Sequence, residues 1–286
     1  MKKHRLLITA ICLLIFISTA SSQEKNNSDP YFIIQLTDPQ FGMNDGDKGF
    51  AYETALYEKA VKAINRLKPD FVVITGDLVN NRENRDQVAE FKRISSQIIK
   101  EIPVWYLPGN HDIGQAPEQK DIEMFITDYG HDRFAFNHKG STFVGLNSQL
   151  IKSDNPEAEE IQLTWLKDAL AKAPVTGHII VFSHYPFFVK LALEPETYSN
   201  IAHSKRKKYL SLLSDYHADA IFAGHLHNNS KGTYDGIDMI TTSAVGKPLA
   251  DAPSGLRIIK MYPDRVESIY YSLEEIPEII TFAPLN

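Results

Sequence analysis

Five short apolar runs, each followed at once by a polar cluster, constrain this chain more than any other feature. They are Tyr31–Leu36, Phe71–Ile74, Val104–Leu107, His178–Phe182 and Ala220–Ala223. Runs this short, rich in β-branched and aromatic residues, read as strands buried on both faces. Between them lie stretches with helical periodicity: Tyr52–Leu67, Asn84–Lys100, Pro117–Asp128, Ala158–Ala173 and Ser204–Ser214. Strand and helix in alternation predict parallel β-α-β units. Arg133–Phe136 and Thr142–Leu146 read as paired strands, and from Lys231 to Leu273 strands and turns replace the helical pattern, predicting an antiparallel stretch. The expectation is one α/β domain over residues 31–286, built as two packed β-sheets flanked by helices.

The polar clusters all fall just beyond the carboxyl ends of these strands, where open α/β sheets bind ligands. They are Thr37-Asp38-Pro39-Gln40, Thr75-Gly76-Asp77, Pro108-Gly109-Asn110-His111-Asp112, Ser183-His184 and Gly224-His225-Leu226-His227. Taken singly, each has a bland reading. An Asp after a strand is most often a turn or a helix cap, a Gly-Asn pair a tight turn, and a His-x-His pair a surface feature. Together they place Asp, Asn and His side chains on five segments that can converge. These are oxygen and nitrogen ligands suited to divalent transition metals, and that joint occurrence is the signal.

The amino terminus carries a different message. Lys2, Lys3 and Arg5 precede a continuous apolar run, Leu6–Ile17, and then the small residues Ser18-Thr19-Ala20. That order predicts a secretory signal peptide over residues 1–20, cleaved near Ala20; a run of 12 residues is too short to span a bilayer. Polar residues 21–30 read as a disordered lead-in. The expected location is therefore exported, periplasmic or extracellular. The only cysteine, Cys12, lies inside the apolar run. Cleavage leaves no thiol, which excludes cysteine catalysis and Cys-ligated zinc. Cleavage also removes three of the 30 basic residues and none of the 36 acidic ones, giving a net charge of -9. Such a chain repels a phosphate backbone, so no stable nucleic-acid binding and no membrane span are expected of the mature form.

The motifs resemble those of the calcineurin-like metallophosphoesterases, whose pattern runs D-x-H, GD, GNH-D/E, H, GH-x-H. Here it reads Asp38-x-Gln40, Gly76-Asp77, Gly109-Asn110-His111-Asp112, His184 and Gly224-His225-x-His227. The DPQFG, GNHDIG, LNSQL and SGLRIIKMY segments are similar to the branch called calcineurin-like phosphoesterase domain-containing protein 1, some members of which are described as serine/threonine protein phosphatases. The resemblance implies a helix-flanked β-sandwich with two divalent ions, Mn, Fe or Zn. It places Asp38, Asp77 and His227 on metal 1, and Asp77, Asn110, His184 and His225 on metal 2. Gln40 departs from the pattern, standing where most of the family has histidine. It offers a neutral carbonyl oxygen to metal 1, directly or through water. Asn80 stands three residues after Asp77, where purple acid phosphatases carry a tyrosine, so no tyrosinate-iron centre is expected.

Two cations about 3.5–4 Å apart can clamp a phosphoryl group and lower the pKa of a bridging water, which then attacks phosphorus in line. His111 adjoins a ligand without a ligand position of its own. It is assigned as general acid toward the leaving oxygen, with Asp112 as its orienter or an outer partner. The substrate class is a phosphate ester, carried on a small molecule or a phosphoprotein. A phosphodiesterase or nucleotide hydrolase with the same metals is the alternative, and a non-catalytic metal-binding protein a third. Tyr185–Ile201 reads as a rim loop whose Phe187, Phe188 and Tyr198 either meet substrate or pack inside. Arg82 and Arg85 read as a solvated helix start before any phosphate contact. His131, His138, His178, His203 and His217 fit no motif.

Overall fold

The computed structural model describes residues 29–249 and 251–284. The expected signal peptide and residues 21–28 of the lead-in lie outside the described residues. Among those described, no helix is long and apolar enough to cross a membrane.

Five strands form the first sheet: β1 (Tyr31–Leu36), β2 (Val72–Thr75), β3 (Val104–Leu107), β10 (Gly255–Met261) and β11 (Val266–Ser272). Their order is β11-β10-β1-β2-β3, with β1, β2 and β3 parallel and β10 antiparallel to β1. The second sheet contains β4 (Phe134–His138), β5 (Ser141–Gly145), β6 (Ile179–Phe182), β7 (Ala220–Ala223), β8 (Ser230–Tyr234) and β9 (Ile237–Thr241). Its order is β4-β5-β6-β7-β9-β8, a parallel centre with an antiparallel strand at each edge. Both sheets are mixed, as expected.

Period-2 alternation sorts the central strands between two apolar layers. On β1, Ile33 faces the other sheet while Ile34 and Leu36 face the helices α1 (Ala51–Leu67) and α2 (Arg85–Ser95). On β6, Ile180 and Phe182 face inward while Ile179 and Val181 join the outer cluster with α6 (Pro156–Leu170) and α7 (His203–Asp215). Phe71, Phe143, Phe182 and Phe222 fill the middle layer. The result is a helix-sheet-sheet-helix sandwich with three apolar layers, which is why the strands read as unbroken apolar runs.

The tail departs from a simple antiparallel block. The hairpin β8–β9 joins the second sheet with β9 parallel to β7, and the hairpin β10–β11 crosses to the first sheet. Helix α2 is shorter than the expected Asn84–Lys100. Beyond it the Asn65 side chain accepts from Ile99 N and donates to the Gln97 carbonyl, turning residues 96–102 back onto α1. Two short helices escaped the periodicity: α3 (Asn110–Ile113) and α5 (Ser148–Lys152). A further helix, α4, spans Gln119–Tyr129.

Candidate active site

The carboxyl ends of the parallel strands in both sheets open on one rim, and the polar clusters meet there. Backbone bonds weld the loops together. Asp38 N donates to the Gly76 carbonyl (3.1 Å), Gln40 N to the Asp77 carbonyl (2.8 Å), and Gly224 N to the His184 carbonyl (3.0 Å). Across the sheets, Val245 N donates to the Thr37 carbonyl (2.9 Å) and Gly246 N to the Asp38 carbonyl (3.1 Å).

Five residues of the site sit in the left-handed region without being glycine: Asp38 (φ 50°), Gln40 (36°), Asp77 (48°), His225 (68°) and His227 (49°). Each such residue costs about 1–3 kcal/mol, and such strain gathers at functional sites. Asp and His tolerate the region better than most side chains. Gly109 has another reason to be glycine: an added Cβ would lie 2.1 Å from Asp77 Oδ1.

Two ligand sets emerge, and Asp77 belongs to both. Asp77, His184 and His225 offer atoms within 4.8 Å of one another, as do Asp38, Asp77 and His227. His184 is fully buried; its Nδ1 donates to the Thr75 carbonyl (2.9 Å), so Nε2 faces Asp77 Oδ2 (3.3 Å) and Asn110 Oδ1 (3.2 Å). His227 repeats the device, with Nδ1 on the Lys247 carbonyl (2.6 Å) and Nε2 on Asp38 Oδ1 (3.3 Å). A carbonyl on one ring nitrogen fixes the tautomer that leaves the other free to ligate. His225 Nδ1 stands 3.3 Å from His184 Nε2, so two ring nitrogens face one point.

Without a cation these groups lean on each other. Burial works against charge on the His184 ring, yet the Asp77 and Asp38 carboxylates outweigh it and lift its pKa to about 9. Burial, with the His184 charge adding to it, drives His225 down to about 3. Burial opposes ionisation of Asp38 and Asp77 as well, but the neighbouring imidazoles hold both below the usual carboxylate range. Asp38 Oδ1 and Gln40 Oε1 are buried acceptors with no hydrogen-bond donor. A buried acceptor left so costs about 1–3 kcal/mol. Cations would satisfy both atoms, so the donor set fits divalent metal.

The six motif residues Asp38, Asp77, Asn110, His184, His225 and His227 therefore come together. Gln40 is buried beside them, its Nε2 donating to Asn80 Oδ1 (3.1 Å). His111 is half-buried next to Asp77, whose Oδ1 accepts from its backbone N–H (2.8 Å).

Of the two expectations for Asp112, the structure favours the outer partner over the orienter of His111. The Asn80 carbonyl orients that ring, binding His111 Nδ1 at 2.8 Å. The Asp112 carboxylate instead receives Leu78 N (2.9 Å) and Gly109 N (2.8 Å), bracing the two loops that flank Asp77. In a helical turn, consecutive side chains point about 100° apart, so neighbours in sequence need not meet.

The rim loop also divides. Phe187 and Phe188 are core residues, fully buried. Tyr198 is 54% exposed, with its hydroxyl 3.4 Å from Asn110 Nδ2 and its ring centre 4.9 Å from that of His225. Arg82 pairs with Asp121 (3.1 Å) and Arg85 with Asp128 (2.7 Å), so each is engaged in an ion pair. Sequence reasoning gave no role to Ser148, whose Oγ accepts from His184 N (3.2 Å) and Tyr185 N (2.9 Å). The Thr75, Asn80 and Lys247 carbonyls that set the imidazoles are backbone atoms and leave no mark in the sequence.

Two candidate donor sets on the rim of a two-sheet sandwich are chemistry suited to a metal-dependent hydrolase, and the comparisons give its class. Residues 33–229 match the family model described as calcineurin-like phosphoesterase, and the chain belongs to that family. It is 34% identical over 277 residues to the rat (Rattus norvegicus) serine/threonine-protein phosphatase CPPED1, covering 90% of this chain and 88% of that one. It is 27% identical over 201 residues to a probable glycerophosphodiester phosphodiesterase GpdQ from Arcobacter nitrofigilis, covering 68% and 71%. In fold it is similar to the purple acid phosphatase PPD1 of yellow lupin, with a TM-score of 0.65 at 14% identity, over 87% of this chain and 52% of that one. The chain is thus a metal-dependent hydrolase of phosphoester bonds.

Proposed function

We propose that the protein is an exported phosphomonoesterase with two divalent ions, acting on phosphate monoesters of the phosphoserine and phosphothreonine type. The observation that carries the reading is the pair of donor sets that share Asp77. Asp38, Asp77 and His227, with Gln40 beside them, would hold one ion. Asp77, Asn110, His184 and His225 would hold the other. The ions, Mn, Fe or Zn, would supply Lewis acidity and an activated water. The protein's own part is to fix the ligands and to handle the proton. With Nδ1 committed to the Asn80 carbonyl, His111 has Nε2 left to protonate the leaving oxygen. Tyr198 stands at the mouth, where a bound ester would pass. The monoester reading is supported by the likeness to CPPED1 along nearly its whole length. Export is supported by the basic start and apolar run of residues 1–20.

A diesterase reading has one observation in its favour, the likeness to GpdQ. Metal analysis of the purified protein, together with assays on phosphoserine peptide, an aryl monoester and a glycerophosphodiester, separates the two. The monoester reading requires two ions per chain and higher kcat/KM on the monoesters. A preference for the diester overturns it. N-terminal sequencing of the protein recovered from outside the cytoplasm is expected to begin near Ser21; Met1 retained on a cytosolic protein overturns export.

A further inference from the structure

Gln40 poses a problem that its neighbours solve. An amide can turn either end toward a cation, and only the oxygen end ligates. Gln40 Nε2 donates to Asn80 Oδ1 (3.1 Å), and Asn80 Nδ2 donates in turn to Asp47 Oδ1 (2.8 Å). Asp47 Oδ1 also receives Gln87 Nε2 (2.8 Å), and Gln87 Oε1 is itself held by Asn81 N (2.9 Å). A carboxylate only accepts. It therefore compels Asn80 to present its amide hydrogens outward and its oxygen inward. That oxygen compels Gln40 to present its amide hydrogens, and Gln40 Oε1 is left over, buried and without a donor.

We infer that Asp47, acting through Asn80, is a positioning residue that fixes the polarity of the Gln40 amide so that its oxygen serves metal 1. The inference rests on the two-metal reading above. It makes exposed Asp47, outside every motif, part of the metal centre at two removes. It also gives Asn80 two tasks, because its backbone carbonyl holds His111 while its side chain sets Gln40.

The test is a double-mutant cycle read by Mn2+ titration and metal stoichiometry, independent of turnover. Asp47→Gly removes the acceptor and suits the local backbone, whose φ is 66°. In the native Gln40 background it is expected to weaken one of the two Mn2+ sites about tenfold and leave the other unchanged. Gln40→Ala removes the amide whose polarity Asp47 is inferred to set, so nothing is left for the relay to orient. In that background Asp47→Gly is expected to change affinity by less than about twofold. Equal losses in both backgrounds would mean that Asp47 acts by charge or loop shape, and would overturn the inference. So would the absence of any loss beside Gln40. A wild-type protein that saturates with one Mn2+ overturns the two-metal reading itself, and the inference with it.

Discussion

The site loops and the neighbouring rim loop are held in place by different balances of contacts. The loops carrying Asp38, Asp77, Gly109 and His225 are fixed mainly by backbone bonds, left-handed residues and close steric contact, with the buried Asp112 carboxylate as a brace. The Tyr185–Ile201 loop is fixed by charge. The Glu194 carboxylate gathers Val189 N (2.6 Å), Lys190 N (2.8 Å) and Leu191 N (3.1 Å). Buried Arg206 donates to the Ala192 (2.6 Å), Glu194 (2.9 Å) and Ile201 (2.8 Å) carbonyls, and Lys152 to that of Thr197 (2.7 Å). Steric fixation tolerates almost no change of side chain. Ionic fixation can be tuned by pH and by substitution. The part that would do chemistry is thus rigid, while the part that would meet the rest of the substrate is adjustable.

The contrast can be broken most severely at the shared ligand. Asp77→Asn is expected to lower metal content and bring hydrolysis close to background, as measured by elemental analysis and steady-state rates. Native metal content and activity would remove Asp77 from its bridging place.

Next in size is His111→Ala. Proton donation predicts near-normal metal content. Losses should be about 10²–10⁴-fold on phosphoserine or alkyl esters and smaller on aryl esters, whose leaving group needs no proton. Equal losses on both would recast His111 as a phosphate-binding residue.

Third, Gly109→Ala should displace the Asp77 carboxylate, because the new methyl would lie inside its van der Waals shell. A shift of this kind costs about 10²-fold in rate. The measurement is kcat with metal content, and full activity would show that the site yields more than its packing implies.

The smallest effect belongs to the rim. Burial opposes ionisation of Glu194, but the backbone N–H groups outweigh it and hold its pKa below the ordinary value. A depressed carboxylate pKa gives stability that is present above about pH 4.3 and lost as pH falls toward the folded value. Glu194→Gln should remove about 1 kcal/mol of local stability at neutral pH. Hydrogen exchange across residues 185–201 should rise in the variant, and in the wild type on acidification, with activity altered only modestly at neutral pH. Exchange indifferent to both would show that burial of Phe187 and Phe188 holds the loop instead.

What the sequence made legible follows the same division. Strands β1, β3 and β7 fall where the apolar runs place them; β1 and β7 are buried on both faces, which leaves an unmistakable signature, and the edge strand β3 keeps an apolar run although only partly buried. The ligand types at the strand ends were readable for a similar reason: chemistry dictates them residue by residue. The pairing of β9 with β7, and the passage of β10 to the other sheet, were not readable, since distant partners are chosen by tertiary packing. For Asp112 the sequence left two roles open, orienter of His111 or outer partner, for want of a direction. The sequence places it beside His111, but only the helical turn of α3 reveals that its carboxylate braces Leu78 and Gly109.

The seam between the sheets has one more consequence. Asp38 Oδ2 accepts from His225 N at 3.0 Å across a separation of 187 residues, and His184 reaches Thr75 across 109. Contacts between such distant points close late in folding, after the local elements have formed. A chain emerging from synthesis therefore cannot assemble the donor set until His225 and His227, about four-fifths of the way along, have been made. Nascent and truncated forms that stop short of them would be inert, and competence to bind metal would report that the seam has closed.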